Sequence, residues 1–249
     1  MDNSLVDYTL HLADTALIMA QRQAEWCGHG PILEQDIAIT NISLDLLGQS
    51  RNFYQYAATL MGDIDEDQLA YLRKEREFKN LLLAEQPNGD WGQTILKLFF
   101  VSQFQYLLFT QLKESKDVQL AAIAEKSLKE TTYHVRWSSE WVIRLGDGTA
   151  ESKSKMEKAI EELWRYTGEM FVSAKYELQC AADNLTIDCS SLQAAWQQKV
   201  STVFEEATLS LPEKVFMQSG GKDGIHTEHL GFILTELQYM QRTYPGATW

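Results

Sequence analysis

ILEQDIAITNISLDLLGQSRNFYQYAATLM, residues 32–61, is the stretch on which the fold turns. It contains no proline, and its apolar side chains fall on two adjacent stripes. One stripe is Leu33, Ile37, Leu44, Leu47 and Tyr54; the other is Ile39, Ile42, Leu46, Phe53 and Leu60. Steps of three, four and seven residues return to one face of a helix, so the stretch reads as one long helix. Two stripes side by side cover most of its circumference, which predicts a central place in a helical core.

The flanks extend the pattern. Residues 5–27 carry Leu5, Leu12, Ala16 and Ala20 at helical spacing, and GHGP at 28–31 stops that helix with glycine and proline. On the other side come an acidic loop at 62–67, a short charged helical piece at 68–78 and a turn cluster, EQPNGDW, at 85–91. Helices are predicted over 92–115 and 118–145, split by SKD at 115–117. Further helices are predicted over 152–180, 189–208 and 226–242, the last following the connection that holds LPEKV (211–215) and SGGKDG (219–224). All four prolines, Pro31, Pro87, Pro212 and Pro245, fall in breaks, as the missing amide donor requires. No strand alternation competes. The reading is all-α: one antiparallel up-down bundle spanning 1–249, with core helices at 5–27, 32–61, 92–115 and 118–145 and additional C-terminal helices.

Composition narrows the function. With 22 Lys and Arg against 35 Asp and Glu, the net charge of −13 disfavours a general binder of nucleic acid or anionic membrane. No apolar run approaches the length of about 18 residues that suggests a membrane span. MDNSLVDY lacks the basic-then-apolar pattern of a signal peptide. Cys27, Cys180 and Cys189 are too few and too scattered for a disulfide framework or a zinc site, so a reducing cytoplasm is the simplest setting.

A bundle of long helices raises the question of a di-metal core. Di-iron carboxylate bundles need a Glu from each of two helices and Glu-x-x-His from each of the other two. The five histidines are His11, His29, His134, His226 and His229; three residues before them stand Tyr8, Trp26, Thr131, Asp223 and His226. None is Glu, so the complete signature is absent. The core helices nonetheless carry polar residues: Asp45 in a stripe with Glu34, Asn41 and Asn52; Gln103 beside Phe99 and Tyr106; and Glu130 one turn before His134. Asp45, Gln103, Glu130 and His134 could form a vestigial, hydrogen-bonded core cluster without metal. They could equally be a solvated stripe, a satisfied core amide and an ordinary i, i+4 pair.

Five segments carry a family resemblance: EWCGHGP (25–31), NISLDLLGQSRNFYQYAA (41–58), NLLLAEQPNGDW (80–91), KETTYHVRW (129–137) and GGKDGIHTEHLG (220–231), with the tail QRTYPGATW. Together they resemble the C-subunit family of bacterial phenylacetyl-CoA ring 1,2-epoxidases. The resemblance implies a ferritin-like fold and a structural, non-catalytic subunit of a multicomponent di-iron monooxygenase in phenylacetate catabolism. It implies no catalytic or metal residue and no cofactor in this chain. The di-iron centre would lie in the catalytic A subunit, of the same fold, with electrons from a separate flavin and iron–sulfur reductase. The implied partners are that A subunit, the other subunits of the epoxidase, and a second copy of this chain. Two other functions stay open: a metal-binding oxygenase in its own right, using Asp45, Glu130, His134 and a further carboxylate such as Asp14, and a generic helical interaction protein.

Within the motifs, Trp26 and His29 belong either to a packed turn or to a partner contact. His226, Glu228 and His229 begin the last helix, with Thr227 or Asp223 as its cap, or contact a partner or an anionic group, with Lys222 as the supporting cation.

Overall fold

The structure is a computed structural model that describes residues 3–62 and 64–247. Met1, Asp2, Asp63, Thr248 and Trp249, and with them part of the acidic loop and the end of the QRTYPGATW tail, lie outside the described residues. In chain order the helices are α1 (Ser4–Ala24), α2 (Leu33–Met61), α3 (Glu66–Tyr71), α4 (Leu82–Glu85), α5 (Trp91–Leu112) and α6 (Val118–Gly146). They continue with α7 (Ala150–Leu163), α8 (Lys175–Ala182), α9 (Gln193–Glu206), α10 (Glu228–Leu237) and α11 (Tyr239–Thr243). No strand occurs among the described residues. The chain forms two compact units: Met1–Pro87 with Gly220–Trp249, and Asn88–Ser219.

The first unit is built on the α1–α2 hairpin. The Ser43 hydroxyl donates to the Ala20 carbonyl at 2.9 Å and the Ser50 hydroxyl to that of Ala13 at 3.0 Å. Advancing along α2 therefore retreats along α1, and the two helices are antiparallel. Helix α1 is buried throughout from Tyr8 to Ala20. On α2 the stripe Ile39, Ile42, Leu46 and Phe53 is fully buried, as an apolar face in a core should be, while its last member, Leu60, is 37 % exposed near the helix end. The other stripe is not. Leu33, Ile37, Leu44 and Leu47 are 71, 53, 60 and 45 % exposed, and Tyr54 alone among them is buried. The expectation that both stripes would be covered is corrected: α2 buries one face and presents the other.

Helix α3 opens with a capping box, Asp65 and Gln68 each bonding the other's backbone amide. After α4 the unit is completed by the chain returning at residue 220. That return is close. A Cβ on Gly221 would lie 2.3 Å from the Asn80 carbonyl oxygen, and one on Gly224, whose φ is +77°, 2.3 Å from that of Arg76. The GGKDG segment lays its bare backbone on residues 76–82, which is why glycine stands there.

In the second unit, Asp90, Asp117 and Thr149 cap α5, α6 and α7 by accepting from the amides of Gln93, Leu120 and Ser152. Phe100 of α5 packs against the rings of Trp164, Trp196 and Phe204, with centroids 5.6 to 6.1 Å apart. The Trp196 indole N–H donates to the Phe100 carbonyl at 3.1 Å, so the ring is buried with its polar atom satisfied. Helix α5 is long and apolar enough to cross a membrane, contrary to the expectation of no such run, but 78 % of that window is buried inside the protein. That burial marks a core helix.

Two predicted helices are interrupted. Residues 152–180 resolve into α7, two 3-10 turns and α8. The Thr167 hydroxyl turns back to the Trp164 carbonyl at 2.8 Å, Met170 and Phe171 are drawn into the core, and Glu177 caps the restart by accepting from the Ala174 amide. Residues 226–242 start later, at Glu228, and break at Gln238, whose side chain donates to the Arg73 carbonyl at 3.0 Å. In both cases side-chain bonds outside the helical ladder outweigh local periodicity.

Replacing Gly224 by alanine should cost about 1–3 kcal/mol, because the new Cβ strains both φ and the contact with Arg76. Gly48→Ala, where nothing lies within 4 Å, should instead stabilise α2 by about 0.5–1 kcal/mol. Urea midpoints of the two variants would check the contrast.

Candidate functional site

A carboxylate sealed in a core must be neutralised where it stands, since an isolated buried charge is too costly to keep. The first unit holds two, Asp14 and Glu85, both fully buried. Asp14 Oδ1 accepts from the Tyr54 hydroxyl at 2.5 Å and from the Arg73 guanidinium. Its Oδ2 accepts from Arg73 Nη1 at 3.1 Å and from the Lys79 amide at 2.7 Å. An ionised carboxylate offers about four lone-pair positions, and here all are taken.

Arg73 is held in turn. It donates to the carbonyls of Leu69 at 2.6 Å and Glu77 at 2.8 Å, and its guanidinium lies 4.2 Å over the Phe78 ring. Burial opposes its charge, but the attraction of Asp14 outweighs that and raises its pKa further. Burial first, and Asp14 second, push the Tyr54 phenol well above its ordinary value, so it remains a neutral donor.

Glu85 repeats the design. Oε2 accepts from Asn80 Nδ2 and His226 Nδ1, each at 2.9 Å. Oε1 accepts from the Thr227 amide at 2.6 Å and the Thr227 hydroxyl at 2.7 Å. His226 Nε2 lies 2.9 Å from the Phe78 carbonyl, so both ring nitrogens face acceptors and both must donate. That geometry favours the imidazolium form. Burial opposes its charge, yet the hydrogen bond and charge of Glu85 outweigh burial and raise the His226 pKa above 6.5.

These pairs act as structural locks, each carboxylate oxygen being taken up by donors of the chain itself. A metal held by Asp14, as the alternative reading has it, would have to displace Arg73, Tyr54 and the Lys79 amide. No group of three or more His, Cys, Asp or Glu side chains able to hold a metal occurs among the described residues. Among the described residues the donor set does not fit a di-iron centre.

The residues marked by the sequence divide. Asp45 is half-buried in the first unit; in the second, Gln103 and His134 are buried and Glu130 is half-buried. In EWCGHGP the backbone closes on Asp36. The Gly30 amide donates to it at 2.9 Å, and the amides of Gly30, Gly28 and His29 hold its carboxyl below the ordinary range. The corner is a hydrogen-bonded turn that leaves Trp26 half-buried and His29 exposed. Lys222 is 3 % exposed and the His226 side chain is sealed, so neither presents itself to a ligand on this surface. Glu228 is exposed and His229 half-exposed. Thr227 sits at the N-cap of α10 but makes no capping bond, because its hydroxyl is committed to Glu85, and Asp223 lies in the 3-10 turn before it. The roles of Glu85, Arg73 and Tyr54 escaped sequence reading, which marks Tyr54 only as part of an apolar stripe. The available signal was Asp14, a lone carboxylate inside the largely apolar run LADTALIMA of α1.

The described residues form an all-α protein of long helices, and the family it matches is ferritin-like. The chain belongs to the phenylacetic acid catabolic protein family, whose model it matches over residues 1–249. It is 50 % identical over 247 residues, 99 % of this chain and 100 % of the relative, to the C subunit of 1,2-phenylacetyl-CoA epoxidase from Escherichia coli strain K12.

Arg73→Met should cost about 3–5 kcal/mol in urea unfolding, because it strands Asp14 without a counter-charge. The double change Arg73→Met with Asp14→Leu should recover part of that loss. The His226 lock has a pH signature. A raised folded-state pKa means its stabilisation is complete below pH 6.5 and is lost as pH rises through the folded value. Melting temperature should therefore fall with rising pH across that window, and His226→Gln should flatten this component.

Proposed function

We propose that this chain is the non-catalytic subunit of a multicomponent di-iron monooxygenase that epoxidises the aromatic ring of phenylacetyl-CoA in phenylacetate catabolism. Its partner is the catalytic A subunit of the same fold, which holds the iron; electrons come from a separate flavin and iron–sulfur reductase, and the setting is the cytoplasm. Identity at half of all positions over the full length of a relative named as an epoxidase subunit supports the assignment. The donor set supports the non-catalytic role: no histidine has a glutamate three residues before it, and Asp14 and Glu85 have no lone pair to spare.

The observation that carries the partner reading is the bare face of α2. Leu33, Ile37, Leu44 and Leu47 form an apolar stripe on a helix whose other side is fully packed. Exposed apolar stripes of this kind mark association surfaces. A second helical subunit laid along α2 would cover it by ridge-into-groove packing.

Co-expression with the A subunit, followed by size-exclusion chromatography, tests the reading. A single co-eluting peak is expected, with iron in the A subunit. Leu44→Asp should weaken the association roughly tenfold or more, since a charge then enters the covered face. Separate peaks at micromolar concentration would overturn it. So would near-stoichiometric iron in the isolated chain that is lost on Glu130→Ala.

A further inference from the structure

Between α2 and α3 the surface opens into a cavity of about 150 Å³. Its inner wall is Leu17, Tyr54 and Ala70, all buried, closed at the side by half-exposed Tyr71. We infer that this cavity is a socket for one aromatic side chain of the partner subunit, an inference that rests on the docking role assigned to α2.

Four observations lead there. The size is that of a single ring: a dry apolar cavity of about 150 Å³ accommodates benzene. The walls suit a ring, because Tyr54 and Tyr71 offer aromatic edges and faces to a third. The position is continuous with the docking face, since Leu47 belongs both to the apolar stripe and to the cavity wall. A chain covering the stripe therefore passes the mouth. The socket is also preformed. Tyr54 is fixed by Asp14 and Arg73, and Arg73 bonds the Leu69 carbonyl within α3, so both walls are anchored before any partner arrives. Preorganised pockets of this kind receive the aromatic anchors that dominate interface energetics.

The rim adds chemistry. Glu66 and Asp67 stand against Arg51, which meets Glu66 only at 3.5 Å with most of its side chain exposed. The rim is acidic on balance, in a chain of net charge −13. An incoming ring would thus be flanked on its own chain by a basic residue.

The experiment uses the whole chain, its co-purified A subunit and 4-fluorophenol as a probe, read by fluorine NMR and by partner-binding isotherms. The free chain should bind the probe weakly, and the partner should release it. Ala70→Leu fills the socket, so probe binding should vanish and partner affinity should fall at least tenfold, with the helical circular dichroism unchanged. Should Ala70→Leu fail to fold, Tyr71→Ala removes a wall from the surface side and should weaken the partner in the same way. Asp67→Lys should weaken the partner and reduce the salt dependence of association. Leu44→Asp should weaken the partner while leaving probe binding intact. Wild-type partner affinity in the filled or wall-less variant overturns the socket, as does a probe that stays bound in the complex. If Leu44→Asp alone disrupts association, α2 docks the partner without this anchor and the socket is overturned. If neither Leu44→Asp nor the socket variants matter, the docking role of α2 fails and the socket falls with it.

Discussion

The pairing of Asp14 with Arg73 is the constraint around which the first unit is arranged. Helix α1 is almost sealed, and a carboxylate on it must bring its neutralising groups inside. Arg73 arrives from beyond α3, Tyr54 from α2 and an amide from Lys79, so one charge fixes three segments relative to α1. A hydrophobic substitute of equal volume could bury as well, but it would not specify which segment arrives, or in what orientation. Glu85 does the same for the C-terminal return through His226 and Thr227. The stretch 73–85, whose only regular structure is a 3-10 turn and the short α4, is thereby pinned at both ends by ion pairs.

That arrangement leaves α2 with two unlike sides. Its packed side and the groups behind it form a rigid support, and its bare side is free to be covered. In the first unit the two buried carboxylates, Asp14 and Glu85, are occupied on every oxygen, which is the feature the proposed supporting role draws on. What remains is a stiff, shaped surface, which is what a supporting role asks of a protein.

Much of this was legible in the sequence, and the exceptions have physical causes. Glycine and proline located the ends of α1, α2 and α6, because those residues act on the backbone locally. The two stripes of α2 identified a helix, but hydrophobicity alone cannot tell a face packed by its own chain from one reserved for another. The break after α7 was hidden because Thr167 and Phe171 leave the helix for contacts that no periodicity encodes. His226 was singled out, yet its role was not readable: Glu85 lies 141 residues earlier, and nothing local announces the pair. The glycines of GGKDG read as part of a connection, and the reason for glycine there, that it permits two backbones to touch, is not local.

The first unit is discontinuous, with residues 88–219 inserted between its halves. During synthesis Asp14 can meet Arg73 early, since both are made before the insertion begins. Glu85 must wait for His226. At about 5–20 residues per second, ribosomal elongation leaves it without its imidazolium for on the order of ten seconds. Over that interval the nascent chain carries a carboxylate destined for burial but still lacking its counter-ion, so closure of this unit has to follow synthesis of the inserted residues.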